Sequence, residues 1–243
     1  MPPKSTPDIP AFRRRLIHWF RRNGRDLPWR RTRDPYQVLV SEFMLQQTQV
    51  ARVELFYGPF LAEYPTIEHL ARATPARVRE SWEGLGYYRR AANLHRLART
   101  VVAEHAGTVP AEPERLMLLP GVGRYTAGAV ASFAYERAVP TVDTNIARVI
   151  RRAFHPRRRR NPNDKVIWAT AGKLVPSRGA SAWAFNQGIM ELGAVVCTAR
   201  VARCEICPVA SICKTGTAKR GERREESGKA PHKRRSTART GSS

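Results

Sequence analysis

The chain has 243 residues, enough for a sizeable core in one domain or two small lobes, and its 42% hydrophobic share is that of a folded protein rather than a disordered one. A formal net charge of +23 points to a polyanionic partner, although charge alone does not choose between DNA and RNA. No apolar run approaches the ~20 residues of a membrane span, and Met1-Pro2-Pro3-Lys4 opens no secretory signal, so the expected setting is the cytoplasm, associated with the nucleoid and not with a membrane.

The pattern along the chain is helical throughout. Residues 1–10 are proline-rich and expected to be disordered. From Ala11 to Arg22 an apolar stripe of Phe12, Leu16, Ile17, Trp19 and Phe20 opposes arginines, and Asn23-Gly24 ends the helix. Asp26-Leu27-Pro28-Trp29-Arg30 and Asp34-Pro35-Tyr36 read as a loop with a basic cluster around a tryptophan. One helix is then expected from Tyr36 to about Tyr57. Thr66 and Thr74-Pro75 mark two helix starts, since Thr caps well and Pro is tolerated at the first helical position. Gly84-Leu85-Gly86-Tyr87-Tyr88 interrupts, and a helix follows over Ala91–Glu104. No run alternates as a half-buried strand would. The expected class is all-α.

Leu119-Pro120-Gly121-Val122-Gly123-Arg124-Tyr125-Thr126 is the most informative stretch. Two glycines after a proline force a turn, and the small-residue run from Thr126 to Ala131 resumes a helix expected to reach about Ala134. Free N–H groups at such a turn can hold an anion; a Gly-x-Gly turn can equally do no more than join helices. Val142-Asp143-Thr144-Asn145 follows, then helical patterns at 145–153, 164–174 and 182–193. Arg157-Arg158-Arg159-Arg160 is a basic run between two of them, fit for solvent or for phosphate. Beyond Cys213 the composition changes: residues 214–243 hold ten Lys and Arg against three Glu, and almost no apolar side chains. This tail is expected to be a disordered basic arm.

All four cysteines lie within seventeen residues, as Cys197, Cys204, Cys207 and Cys213 with 6-2-5 spacing. Disulfides fit poorly with a reducing compartment. Zinc and an iron–sulfur cluster are both open on spacing alone, only Cys204 and Cys207 forming the close pair that zinc sites favour.

Together, LPGVGRYTAG, the later VDTN and the cysteine loop resemble the helix-hairpin-helix DNA glycosylases of the endonuclease III superfamily. LPWR at 27–30, SEFMLQQTQV at 41–50 and GLGYY at 84–88 are similar to the MutY-type adenine glycosylases within it. The resemblance runs from about Leu16 to Cys213. It implies two helical lobes with the active site in the cleft between them: a six-helix lobe at 28–135 and a lobe joining 11–27 to 136–213 that carries a [4Fe-4S] cluster on the four cysteines. It further implies a monomeric enzyme on double-stranded DNA with a mismatch. That enzyme flips out adenine opposite guanine or 8-oxoguanine and hydrolyses its N-glycosidic bond in base excision repair. Glu42 would then protonate the adenine, its pKa raised by apolar Phe43, Met44 and Leu45, and Asp143 would face the sugar cation. Bifunctional members carry a nucleophilic lysine where this chain has Tyr125, so cleavage would stop at an abasic site. Asn145 would orient the catalytic carboxyl. Trp29, Arg30, Val50 and Gln187 would line the base pocket, Gln187 pairing with the base edge by two hydrogen bonds. Gln47 and Tyr87 would wedge into the base stack, and Gly121, Val122, Gly123 and Arg124 would grip the backbone. MutY-type enzymes continue into a second domain that reads 8-oxoguanine, whereas here only the basic tail follows the cysteine loop. Thymine/uracil mismatch glycosylases of the same superfamily are therefore the alternative, and a non-catalytic iron–sulfur DNA-binding protein a second one.

Overall fold

The computed structural model describes residues 7–156 and 164–218. The arginine run 157–160 and most of the basic tail lie outside the described residues. Within them the chain is helical, with no β-strand, and the expectation of an all-α fold holds.

The helices are α1 (Ile9–Asn23), α2 (Pro35–Leu45), α3 (Val50–Glu63), α4 (Ile67–Arg72), α5 (Pro75–Glu80), α6 (Arg89–His105), α7 (Pro113–Leu116), α8 (Arg124–Phe133), α9 (Thr144–Phe154), α10 (Asp164–Leu174) and α11 (Gly179–Val195). Short polar side chains start several of them. Asp8, Asp34, Thr74 and Asp143 each accept from backbone N–H groups in the first turn of α1, α2, α5 and α9, which satisfies donors that have no intrahelical partner. Pro35, Pro75 and Pro113 stand at first helical positions, where their missing N–H costs nothing.

Buried side chains fall into two clusters. Residues from Leu27 to Ala134 form the larger, centred on Phe43, Phe60, Trp82, Leu94 and Leu116. The other joins Phe12 and Leu16 of α1 to α9, α10, α11 and Val209. Helices α8 and α11 pack together where the clusters meet, and Met190 of α11 packs against both.

Three expectations are corrected. The stretch 36–57 is two helices, not one. Their break at 46–49 places Gln47 at φ 58, in the left-handed region, although no Gly or Pro marks it. Ile9 and Pro10 open α1 instead of belonging to a disordered terminus, because Asp8 caps that helix. At the other end, residues 214–218 make one helical turn, held where the Thr215 hydroxyl donates to Arg152 O at 2.7 Å, so the tail begins later than Lys214.

Candidate active site

Glu42 lies on α2, only 4% exposed, at the junction of α2, α8 and the start of α9. Burial pushes its carboxyl up to about 7; the neighbouring Tyr125 hydroxyl lowers it as a hydrogen-bond partner, and the Asp143 charge raises it again. Burial is the leading cause; Phe43 and Met44 lie in the core cluster with Leu45 packed against it, and Tyr125 of α8 and Asp143 at the start of α9 modify the shift. A carboxyl near 7 is half protonated at neutral pH, and that is what a general acid requires.

Asp143 is the N-cap of α9. Its Oδ1 accepts from Ile146 N at 2.7 Å and its Oδ2 from Asn145 Nδ2 at 2.8 Å. Burial raises its pKa overall, and these donors and the Arg148 charge offset that rise only in part. Positive helix-end dipoles and two N–H donors favour the anion. The two carboxyls therefore differ: Glu42 has one hydroxyl neighbour, Asp143 a set of donors. Asn145 is held in turn, its Oδ1 accepting from Arg148 Nη2 at 2.6 Å. Arg148 also donates to Gly193 O at 2.7 Å and Cys197 O at 2.8 Å. Tyr125, whose phenol burial drives well above its ordinary pKa, also lies 4.0 Å from Met190 Sδ.

At the expected pocket, Arg30 Nε donates to Gln187 Oε1 at 2.8 Å and Arg30 Nη2 to Glu191 Oε2 at 2.7 Å. Arg25 Nε holds Glu191 Oε1 at 2.7 Å. Arginine has only donors, so this contact fixes the Gln187 amide with its oxygen toward Arg30 and its NH2 free. That modifies the expected two-bond pairing, because the amide oxygen is already engaged. Glu191, fully buried, is a residue that sequence reasoning missed. Its spacing four residues after Gln187 on one helix was the available signal. Trp29 is 8% exposed, inside the larger core cluster with its ring edge-on to Tyr57 at 5.5 Å, and Val50 is half-buried at the first turn of α3.

Gln47 and Tyr87 are both exposed and both left-handed, at φ 58 and φ 48. Such backbone costs a side chain on the order of 1 kcal/mol and persists only where surroundings hold it. Arg90, also missed from sequence, supplies that hold. Its guanidinium donates to the carbonyls of Phe43, Met44 and Gln46 at the end of α2, and to Leu85 and Gly86 in the turn before α6.

The hairpin joins α7 to α8. Gly121 has φ +78, and a Cβ there would meet Asn93 at 2.8 Å and Phe43 at 3.0 Å, so the turn requires glycine. Gly123 faces open space and caps α8 without a side-chain bond, which leaves first-turn N–H groups available. Val122 is buried beneath them, Arg124 is exposed, and Leu118 stands 83% exposed at the turn.

The four cysteines line one cavity with Val149, Arg152, Ala153, Leu192 and Val209. Burial raises the Cys213 thiol and pushes Cys207 up to about 12, so in this apolar setting thiolates need a cation to offset their charge. N–H groups already aim at sulfur: Gly216 N lies 3.4 Å from Cys213 Sγ and Arg152 Nη1 3.3 Å from Cys197 Sγ. Among the described residues no three His, Cys, Asp or Glu side chains are drawn in around a single metal ion.

Residues 40–176 match the family described as HhH-GPD superfamily base excision DNA repair protein. The chain belongs to this superfamily. Two curated relatives bracket it. The adenine DNA glycosylase of Mycolicibacterium smegmatis is 46% identical over 80% of this chain and 66% of that protein, so the chain spans about two thirds of that relative's length. The thymine-DNA glycosylase of Aeropyrum pernix is 39% identical over 84% of this chain and 94% of that protein. Among solved structures, a thermostable thymine-DNA glycosylase superposes with a TM-score of 0.80 at 32% identity, covering 86% of this chain and 97% of that one. Membership places the hairpin and both carboxyls of this HhH-GPD chain inside the family's matched region, which reaches from Val40 to beyond Asn145. No described helix is long and apolar enough to cross a membrane.

Proposed function

We propose that the chain is a monofunctional adenine DNA glycosylase of base excision repair, acting as a monomer on double-stranded DNA. Its substrate is adenine opposite guanine or 8-oxoguanine. One observation carries this reading: a buried carboxyl poised near neutrality, Glu42, shares a site with a carboxylate held by donors, Asp143. Groups whose environments set them apart in this way divide the work of cleaving a glycosidic bond. Glu42 gives its proton to N7 of the flipped base, and the C1′–N9 bond breaks with its electron pair passing to the base. Asp143 faces the cation left at C1′. Water then adds to C1′ and returns a proton to the Glu42 carboxylate, which restores the acid. Tyr125 offers no amine at the place of a Schiff-base lysine, so the product is an abasic site with the backbone intact.

Gln187 presents its NH2 to an acceptor on the base while Arg30 holds its oxygen. Gln47 and Tyr87 stand where side chains can fill the gap left in the stack, and the uncapped start of α8 with Arg124 grips phosphate. Cys197, Cys204, Cys207 and Cys213 would hold a [4Fe-4S] cluster, whose chemistry here is that of a four-point staple for residues 197–218. The apolar lining and the N–H groups aimed at sulfur support that assignment.

Higher identity to the adenine enzyme favours adenine, and the 39% identity to the Aeropyrum thymine-DNA glycosylase supports a T:G substrate as the second reading. Single-turnover incubation with duplexes bearing A:8-oxoguanine, A:G, T:G or U:G, developed with alkali, separates them. Strand breaks at adenine only after alkali are the expected result. Cutting of T:G but not A:G establishes the second reading, and no cutting of any duplex ends both.

A further inference from the structure

Three guanidinium-on-aromatic contacts join residues 28–135 to helices outside that segment. Arg30 lies over Phe20 of α1 at 5.3 Å, Arg33 over Trp183 of α11 at 4.2 Å, and Arg124 over Trp168 of α10 at 3.8 Å. The first two arginines spend their N–H groups inside the protein, Arg30 on Gln187 and Glu191, Arg33 on Glu136 and backbone carbonyls. Arg124 differs. Its contact is the closest of the three, yet among the described residues its guanidinium makes no hydrogen bond or ion pair.

We infer that Trp168 is a positioning residue for DNA: a platform that holds the Arg124 guanidinium flat, with its N–H edge open to a backbone phosphate. The inference rests on the reading of the hairpin as a phosphate grip. Stacking on the indole occupies the face of the guanidinium only. All five N–H groups lie in its plane, so the stacked ion keeps the fork that binds two phosphate oxygens. A free exposed arginine loses up to ~2 kcal/mol of rotamer entropy when it binds, and a docked one has lost part of that beforehand. Position adds to this. Arg124 is the first residue of α8, so its side chain leaves the backbone beside the uncapped N–H groups after Gly123, and a phosphate held by the one lies within the field of the other. Trp168 rides on α10, whose Ile167, Ala171 and Leu174 are buried in the smaller cluster, so the hairpin of one lobe is tuned by a residue of the other. A grip shared between the two clusters couples hold on the strand to how α8 and α10 are set against each other.

The test uses the full chain, a short labelled undamaged duplex and a salt series, because phosphate contacts need no lesion. Arg124→Ala and Trp168→Leu each weaken binding by about five- to tenfold and each lower the slope of log K against log salt by about one. The double variant is no weaker than either single one, and Trp168→Phe, with a smaller aromatic face and a preserved core, falls between native and Leu. Should Trp168→Leu not fold, the native–Phe comparison in slope and its coupling to Arg124→Ala carry the same test. Losses that add in the double variant, or a Trp168→Leu chain that binds like native while Arg124→Ala is weakened, overturn the platform and leave the hairpin grip standing. Tighter binding by Trp168→Leu would mean that the indole withholds Arg124 from DNA and also overturns it. If Arg124→Ala changes neither affinity nor slope, the grip itself is wrong and the platform falls with it.

Discussion

Asn145 Nδ2 donates to Asp143 Oδ2 at 2.8 Å, two residues along the chain and within the first turn of the helix that Asp143 caps. One carboxylate is thus both the start of α9 and a candidate catalytic group. The two roles separate under substitution. Asparagine caps nearly as well as aspartate, so Asp143→Asn should keep stability within ~1 kcal/mol while single-turnover base release falls by a factor of 10² or more. Equal loss of melting temperature and rate would assign Asp143 to structure alone. Asn145→Ala removes one donor and should cost about tenfold in rate.

As the proposed general acid, Glu42 should make base release depend on pH. Its acid form is lost as pH rises through about 7, so base release should fall from pH 6 to pH 9, approaching tenfold per unit above about 7. Stability follows the same sign. The folded-state pKa lies above the ordinary 4.5, so the contribution of the protonated group is fully present below 4.5 and gone once pH has passed about 7. Glu42→Gln should accordingly be inactive yet more stable than the native chain at pH 8, by about 2–3 kcal/mol in urea unfolding. A Gln variant that still releases base would exclude Glu42 as the acid.

Arg90 ties the end of α2 to the turn carrying Tyr87 through five carbonyls. Removing the fork strands buried acceptors, so Arg90→Ala should cost about 3–5 kcal/mol and lower the melting point by roughly 6–20 °C. Lysine cannot reach both sides at once, and Arg90→Lys should recover less than half of the loss. Full recovery by lysine would show that charge, and not the fork, is what the turns require.

Glu191 is the buried anion that fixes Arg30 and, through it, the Gln187 amide. Glu191→Gln should lower stability by about 3 kcal/mol and, at temperatures where the variant is folded, narrow the preference for adenine over thymine duplexes, since the amide is then free to turn over. An unchanged preference would place base selection elsewhere.

Gly193 marks how closely α11 approaches α9: a Cβ there would lie 2.8 Å from Asn145 Cβ and 3.0 Å from its carbonyl oxygen. Gly193→Ala must therefore displace the first turn of α9 or tilt α11. Base release should fall at least tenfold, with a stability loss of about 1–3 kcal/mol. A variant with native rate would show that the Asp143–Asn145 pair tolerates that shift.

Much of this was legible before any coordinates. The helix start at Thr74 follows from a cap and a proline acting on their own neighbours, whereas Thr66 starts α4 without a side-chain cap bond and Asp34, read as part of a loop, caps α2. Hairpin glycines signal a turn for the same local reason. The break at 46–49 was hidden because Gln47 adopts a left-handed conformation without being Gly or Asn, and what stabilises it is Arg90, over forty residues away. Arg90, Glu191 and Trp168 looked like ordinary helix residues; their partners come from other helices, and no periodicity encodes that.

Residue order by itself thus determined the all-α class, the hairpin and the grouped cysteines, because these rest on contacts between near neighbours, whereas the two carboxyls stood out only through the family resemblance. Only the tertiary structure decided what surrounds each carboxyl: burial raises both, Glu42 to about 7, while N–H donors oppose the rise at Asp143. Protonation depends on what surrounds a group in space, and for Glu42 and Asp143 those surroundings are assembled from α2, α8 and α9 at the meeting of the two clusters.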